Sequence, residues 1–200
     1  MSSFKISCWN IQGLYSSAFG LKSKTSHFVN SVNQNDIIIL SETWCRVDVP
    51  TNCPPNYKEV VVPSQKIRNI SRGRDSGGII LWYKSTLHNS LQILKIERNY
   101  IWLKLKRDLI PTERDIYLCA IYIPPSESPY YPEDIFSCLE SEICYYQAQG
   151  NILLCGDFNA RTGTHSDVTS ILYKETVLSH SKIPLVTNSY ICLPEIISTL

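Results

Sequence analysis

The sequence predicts an α/β domain in which two mixed β-sheets pack together and helices flank them, and three observations predict it. Short apolar runs of strand length recur along the 200 residues, only two segments carry a helical period, and several strand pairs are joined by short turns. That pattern argues against a strictly alternating parallel fold. Several of the runs are apolar at nearly every position, so their strands need cover on both faces, which two packed sheets with outer helices supply.

The elements follow in order. Residues 4–9 alternate, with Phe4, Ile6 and Cys8 opposed to Lys5 and Ser7, as in a half-buried strand that ends at Asn10 and turns through Ile11, Gln12 and Gly13. Residues 21–33 place Leu21, Phe28, Val29 and Val32 on one helical face, which predicts a covering helix. The run Ile37, Ile38, Ile39, Leu40 is a buried strand that releases Ser41 and Glu42. Pro50, Pro54 and Pro55 mark a loop before a strand over 57–62. Strands are predicted over 79–83, 91–96, 100–106 and 116–122, and the last stops at Tyr122 because Ile123 leads into Pro124 and Pro125. Residues 132–150 form the clearest helix: Pro132, Glu133 and Asp134 suit its first turn, Ile135, Leu139, Ile143 and Tyr146 recur at helical spacing, and Gly150 suits the stop. A short apolar strand, residues 152–155, then ends at Gly156 and is followed by Asp157, Phe158 and Asn159. Residues 164–200 carry only short apolar pieces, among them 191–193, and predict no long element.

Composition narrows the function. With 44% hydrophobic and 18% charged residues the chain fits one globular domain, and a formal net charge of +1 leaves any polyanion contact to a local patch. The basic, turn-rich stretch 65–78, with Lys66, Arg68, Arg72 and Arg74 near Gly73, Gly77 and Gly78, is the candidate patch. No apolar run approaches the roughly 18 residues of a membrane span and the N-terminus lacks signal-peptide blocks, so an intracellular, soluble chain is expected, with the nucleus open to it. The eight cysteines include no C-x-x-C pair, and Cys8, Cys119 and Cys155 read as reduced core thiols.

The chemistry collects at strand ends. Asn10, Glu42, Tyr122, Asp157 and Asn159 stand at four of them. If these ends converge, they offer a hard carboxylate ligand, a second carboxylate to orient water, a phenol, and two amides for phosphate oxygens. That set suits Mg²⁺-assisted phosphodiester hydrolysis. Taken singly, Asp157 and Asn159 also read as an Asx turn, and Asn10 as a strand terminator. If extension persists through Phe158, the Asp157 and Asn159 side chains share one face.

Five blocks, FKISCWNIQGL, ILSETW, SGGIILWYK, IYLCAIYIPP and LLCGDFNARTG, resemble in order and spacing the endonuclease/exonuclease/phosphatase superfamily over residues 4–163, and most of all the apurinic-like endonuclease domains of non-LTR retrotransposons. The resemblance implies a four-layer α/β sandwich and a Mg²⁺ (or Mn²⁺) cofactor, with Glu42 as metal ligand and Asn10 beside it in the metal and phosphate shell. It implies that Tyr122 contacts the scissile phosphate, Asp157 orients or deprotonates the attacking water, and Asn159 holds a phosphate oxygen. Lys66, Arg68, Arg72, Arg74 and Arg161 would contact DNA. Members of the family end with a Ser-Asp-His block that this sequence lacks: His165 follows the LLCGDFNARTG block too closely, and His180 has no Asp before it. The expected function is a DNA-nicking domain of a retrotransposon, impaired by that loss, with the last strands missing, an open sheet edge, and residues 164–200 as a degenerate tail. A phosphatase or lipid phosphodiesterase of the same fold, and a non-catalytic fragment that at most binds nucleic acid, are the alternatives.

Overall fold

The computed structural model describes residues 4–17, 20–66, 75–110, 112–159 and 190–192. In chain order they form β1 (Ile6–Asn10), β2 (Tyr15–Ser16), β3 (Gly20–Leu21), α1 (Ser26–Asn33), β4 (Ile37–Ser41), β5 (Tyr57–Val62), β6 (Ile79–Lys84), β7 (Leu91–Ile96), β8 (Tyr100–Leu105), β9 (Ile116–Tyr122), α2 (Ile135–Gln147), β10 (Asn151–Asp157) and β11 (Tyr190–Cys192). One sheet has the order β1-β4-β6-β5 and the other β11-β10-β9-β8-β7, while β2 and β3 form a separate small ribbon. Both large sheets are mixed: β1 runs parallel to β4 and β9 parallel to β10, whereas β4–β6, β5–β6, β7–β8 and β8–β9 are antiparallel.

Side-chain alternation sorts the apolar residues into three layers of contact. Ile37 and Ile39 of β4, Ile79 and Leu81 of β6, Ile101 and Leu103 of β8, and Leu118 and Ala120 of β9 meet between the sheets. Their neighbours Ile38, Leu40, Ile80 and Trp82 face outward and pack with Val32 and Phe28 of α1. On the far side Trp102, Tyr117, Cys119, Ile121, Ile152 and Leu154 pack with Ile135, Leu139 and Ile143 of α2. Helix, sheet, sheet and helix make the four layers that the resemblance implies.

One tie fixes the outer layer. Glu142 of α2 accepts hydrogen bonds from Trp102 Nε1 at 2.6 Å and Tyr100 Oη at 3.0 Å, and it pairs with Lys95. Trp102 is fully buried, so removing its acceptor leaves a donor without water. Glu142→Ala should therefore lower stability by about 1–3 kcal/mol, read as a lower urea midpoint at unchanged denaturant slope; an unchanged midpoint would mean the tie contributes nothing.

Two elements differ from the sequence expectation. The helix expected over 21–33 starts later: Leu21 pairs with Tyr15 in the β2–β3 ribbon, residues 22–24 form a single 3₁₀ turn, and the extended Thr25 (φ −74°, ψ 138°) separates that turn from α1. The sheet edge expected beyond β10 is not open along its whole length, because β11 pairs antiparallel with it, Leu154 against Cys192 through Gly156 against Tyr190. Three residues sufficed to cover the end of β10 nearest Asp157, too short a run for periodicity to reveal. No helix among the described residues is long and apolar enough to cross a membrane.

Candidate active site

Parallel pairing delivers the polar strand ends together. In the first sheet Asn10 lies opposite Ser41, the residue before Glu42, and in the second Tyr122 lies opposite Asp157. Asn10 follows Cys8 at the alternation period, as Tyr122 follows Ala120 and Asp157 follows Cys155, so all three sit on the faces that meet between the sheets. They are the rim of the inter-sheet core where apolar residues give way to polar ones.

Glu42 reaches that rim by a different route. Ser41 takes the inward position, so an extended Glu42 would face α1; instead its φ is +50°. The left-handed conformation turns the carboxylate back, and Tyr122 Oη donates to Glu42 Oε1 at 3.1 Å. Gln12 and Trp44 also have positive φ, 45° and 50°. Non-glycine residues held there cost free energy, and such strain gathers where geometry serves function.

A second bond closes the figure. Asn10 Nδ2 donates to Asp157 Oδ2 at 2.7 Å. Two hydrogen bonds between the sheets, the register pair Tyr122–Asp157, and the pair of Asn10 with Ser41 next to Glu42 thus bring Asn10, Glu42, Tyr122 and Asp157 into one ring. The strands enter it from below and the chain leaves it in supported turns: Gln12 N–H donates to Asn10 Oδ1 at 3.1 Å, Gly13 N–H to the Glu42 carbonyl at 2.7 Å, and Trp44 N–H to the Gly77 carbonyl at 3.0 Å. Gly78 is required beside them, since a Cβ there would lie 2.5 Å from Thr43 Oγ1 at a φ of +89°. Beneath the ring, a hydrogen bond with Cys155, and burial after it, hold the Cys8 thiol well above the usual thiol range.

Asp157 is only 4% exposed. Its Oδ1 accepts the Asn159 N–H at 3.0 Å, which is an Asx turn, and Asn159 has a φ of +45°. Extension therefore does not persist through Phe158, and the shared face expected for Asp157 and Asn159 is not formed. Phe158 packs with the α2 layer, and Asn159 Nδ2 donates to the Ile123 carbonyl at 2.8 Å. Asn159 holds the loop that carries Asp157.

The donor set fits a divalent cation. Glu42 and Asp157 are two carboxylates, Asn10 adds an amide oxygen, and among the described residues no lysine, arginine or histidine forms an ion pair with either acid. Hard oxygen donors of this kind, one or two of them carboxylates, are what Mg²⁺ or Mn²⁺ takes while keeping waters. The described residues gather no group of three or more His, Cys, Asp or Glu.

Of the basic residues singled out, Lys66 is described and exposed, beside the Gln65–Ser76 bridge that joins the chain on either side of the loop. Arg68, Arg72, Arg74 and Arg161, like His165 and His180, lie outside the described residues. His27 and His88 are exposed, and neither stands at the ring. Sequence reasoning missed Asn99. It is buried, exchanges backbone and side-chain bonds with Tyr122 (Tyr122 N–H to Asn99 O 2.8 Å, Asn99 Nδ2 to Tyr122 O 3.1 Å), and so fixes the strand end that carries the phenol. As a polar residue in a turn before a strand it gives no signal of that role.

The model of the endonuclease/exonuclease/phosphatase family matches residues 8–172, most of the chain and every corner of the ring. The chain belongs to the endonuclease/exonuclease/phosphatase family. This family domain is similar in fold to the AP endonuclease LMAP from Leishmania major (17% identity, TM-score 0.58, 77% of this chain and 54% of that one). It is similar also to the human Nocturnin catalytic domain with bound sulfate (15%, 0.52, 80% and 65%) and to the Xenopus laevis APE2 catalytic domain (17%, 0.50, 83% and 62%). The chain thus spans between half and two thirds of the length of these structures. No curated protein matches the sequence.

Proposed function

We propose that this endonuclease/exonuclease/phosphatase domain is a Mg²⁺-dependent phosphodiesterase that nicks DNA, of the kind that serves retrotransposon insertion. The observation that carries the reading is the ring itself, which sets two carboxylates, unpaired with any lysine, arginine or histidine among the described residues, beside a phenol and an amide at the rim of the two sheets. Similar folds in two AP endonucleases support DNA as the substrate class, and a nuclear site of action would follow from it.

Each residue has a task. Glu42 and Asn10 would hold the metal, which when bound supplies charge neutralisation at the phosphate. Asp157, oriented by Asn10 and by the Asn159 N–H, accepts a proton from the attacking water. Tyr122 donates its hydroxyl hydrogen to Glu42 in the absence of substrate, and can pass it to a phosphate oxygen in its presence. Asn159 keeps one amide hydrogen for a second phosphate oxygen, the other being held by Ile123. Slow turnover is part of the proposal, since no histidine of the described residues stands at the ring to protonate the leaving oxygen.

Supercoiled plasmid tests it. Nicking in Mg²⁺ that stops in EDTA is the expected result. Salt-sensitive DNA binding with no nicking at any metal concentration would replace the enzyme by a binding fragment.

A further inference from the structure

Beside the ring, Gln65, Ser76, Gly77, Arg98, Asn99, Tyr122 and Tyr130 line a small cleft. Two features of it have no structural use among the described residues. The phenol oxygen of Tyr130 is buried and has no hydrogen-bond partner among the described residues. A buried hydroxyl left so costs about 1–3 kcal/mol. Arg98 is exposed and lies over the Tyr130 ring, 5.8 Å from its centroid, yet no carboxylate among the described residues pairs with it. Its neighbour Glu97 is engaged by Lys95 at 3.1 Å. Gly77 also bounds the cleft, and a Cβ there would touch the Tyr122 ring at 3.4 Å.

A guanidinium and an unused hydroxyl donor that line one cleft are complementary to an anion with several acceptor oxygens. The cavity volume is about 10 Å³, room for one oxygen-sized group and none for a base or a sugar. Because Tyr122 belongs both to this cleft and to the ring, whatever anion enters is a near neighbour of the phosphate at the ring.

We propose that Arg98 and Tyr130 form a second phosphate subsite, which takes the phosphodiester adjacent to the one cut. It rests on the phosphodiesterase reading of the ring and deepens it: the substrate is a polynucleotide with at least two consecutive phosphodiesters, and a single phosphate ester fills only half of the site. Arg98 supplies the charge and Tyr130 Oη the directed hydrogen bond to one non-bridging oxygen.

Binding tests this separately from turnover. NMR titrations would compare dithymidine monophosphate, with one phosphodiester, and trithymidine diphosphate, with two, against wild type, Arg98→Ala and Tyr130→Phe. Wild type should bind the longer ligand about tenfold more tightly, and Arg98→Ala should lose that increment while its affinity for the shorter ligand is retained. On longer DNA the Arg98→Ala salt slope should fall by about one, as for one lost phosphate contact. Tyr130→Phe, which keeps the ring and its packing, should lose part of the increment and guards against misfolding of the first variant. Equal weakening for both ligands, no preference for the longer one in wild type, or unchanged Tyr130→Phe and Arg98→Ala binding would overturn the subsite; the last would leave Tyr130 Oη to a buried water. Failure of plasmid nicking with these increments intact would overturn the catalytic reading and leave the subsite standing.

Discussion

Asp157→Asn is expected to lower metal-dependent nicking by about 10²- to 10⁴-fold, the usual worth of a positioned general base, while the protein still folds. The structure makes the reason specific. Both carboxylate oxygens accept, one from Asn10 Nδ2 at 2.7 Å and one from the Asn159 N–H at 3.0 Å. An asparagine keeps one acceptor and sets its NH₂ against a donor, so one of these bonds must break at a buried position. The added cost to stability is about 1–3 kcal/mol, small enough against a typical 5–15 kcal/mol for a cooperative transition to survive. Plasmid nicking and urea unfolding on the same preparation separate the two effects. A variant that nicks within tenfold of wild type would remove Asp157 from the mechanism.

Gly156→Ala should fail at the earlier step, in folding. Gly156 has a φ of +148°, and a Cβ built on it would lie 1.9 Å from the Ile121 carbonyl oxygen. That oxygen belongs to β9, the register partner in the middle of the second sheet, so no side-chain rotation relieves the overlap. Overpacking against backbone belongs to the large end of single-substitution effects, about 4 kcal/mol or more. The expected outcome is a protein that is largely unfolded or insoluble at 25 °C, or one whose urea midpoint collapses. Wild-type stability in Gly156→Ala would show that β9 and β10 are not in the register described. The same glycine gives Asp157 its place, since the chain can pass this close to β9 only without a side chain.

These two residues also mark what the sequence makes legible. Apolar runs ending in polar residues located Asn10, Glu42, Tyr122 and Asp157, because a buried strand must show its hydrophobicity and its terminus together. The three of them that continue the inward alternation could be placed by counting. Glu42 could not: nothing in SETW announces a left-handed residue, and only the folded backbone shows why its carboxylate turns toward Tyr122. At Asn159 the sequence allows both extension and an Asx turn after Asp157, and the folded chain takes the Asx turn. Asn99, Arg98 and Tyr130 sit in turns, where composition is permissive and contact is decided by distant parts of the chain. The late start of α1 has the same origin: Leu21 satisfies helical spacing and strand pairing alike, and the ribbon with Tyr15 decided between them.

The bond between Asn10 and Asp157 joins residues 147 positions apart, and that between Tyr122 and Glu42 residues 80 apart. No shorter piece of the chain contains the ring. On the ribosome, β1, β4, β5 and β6 all emerge before β10, so a nascent chain can build its first sheet while carrying no competent centre. The activity proposed for the ring would stay silent until this final corner docks. A single proteolytic cut that frees β10 would silence it again.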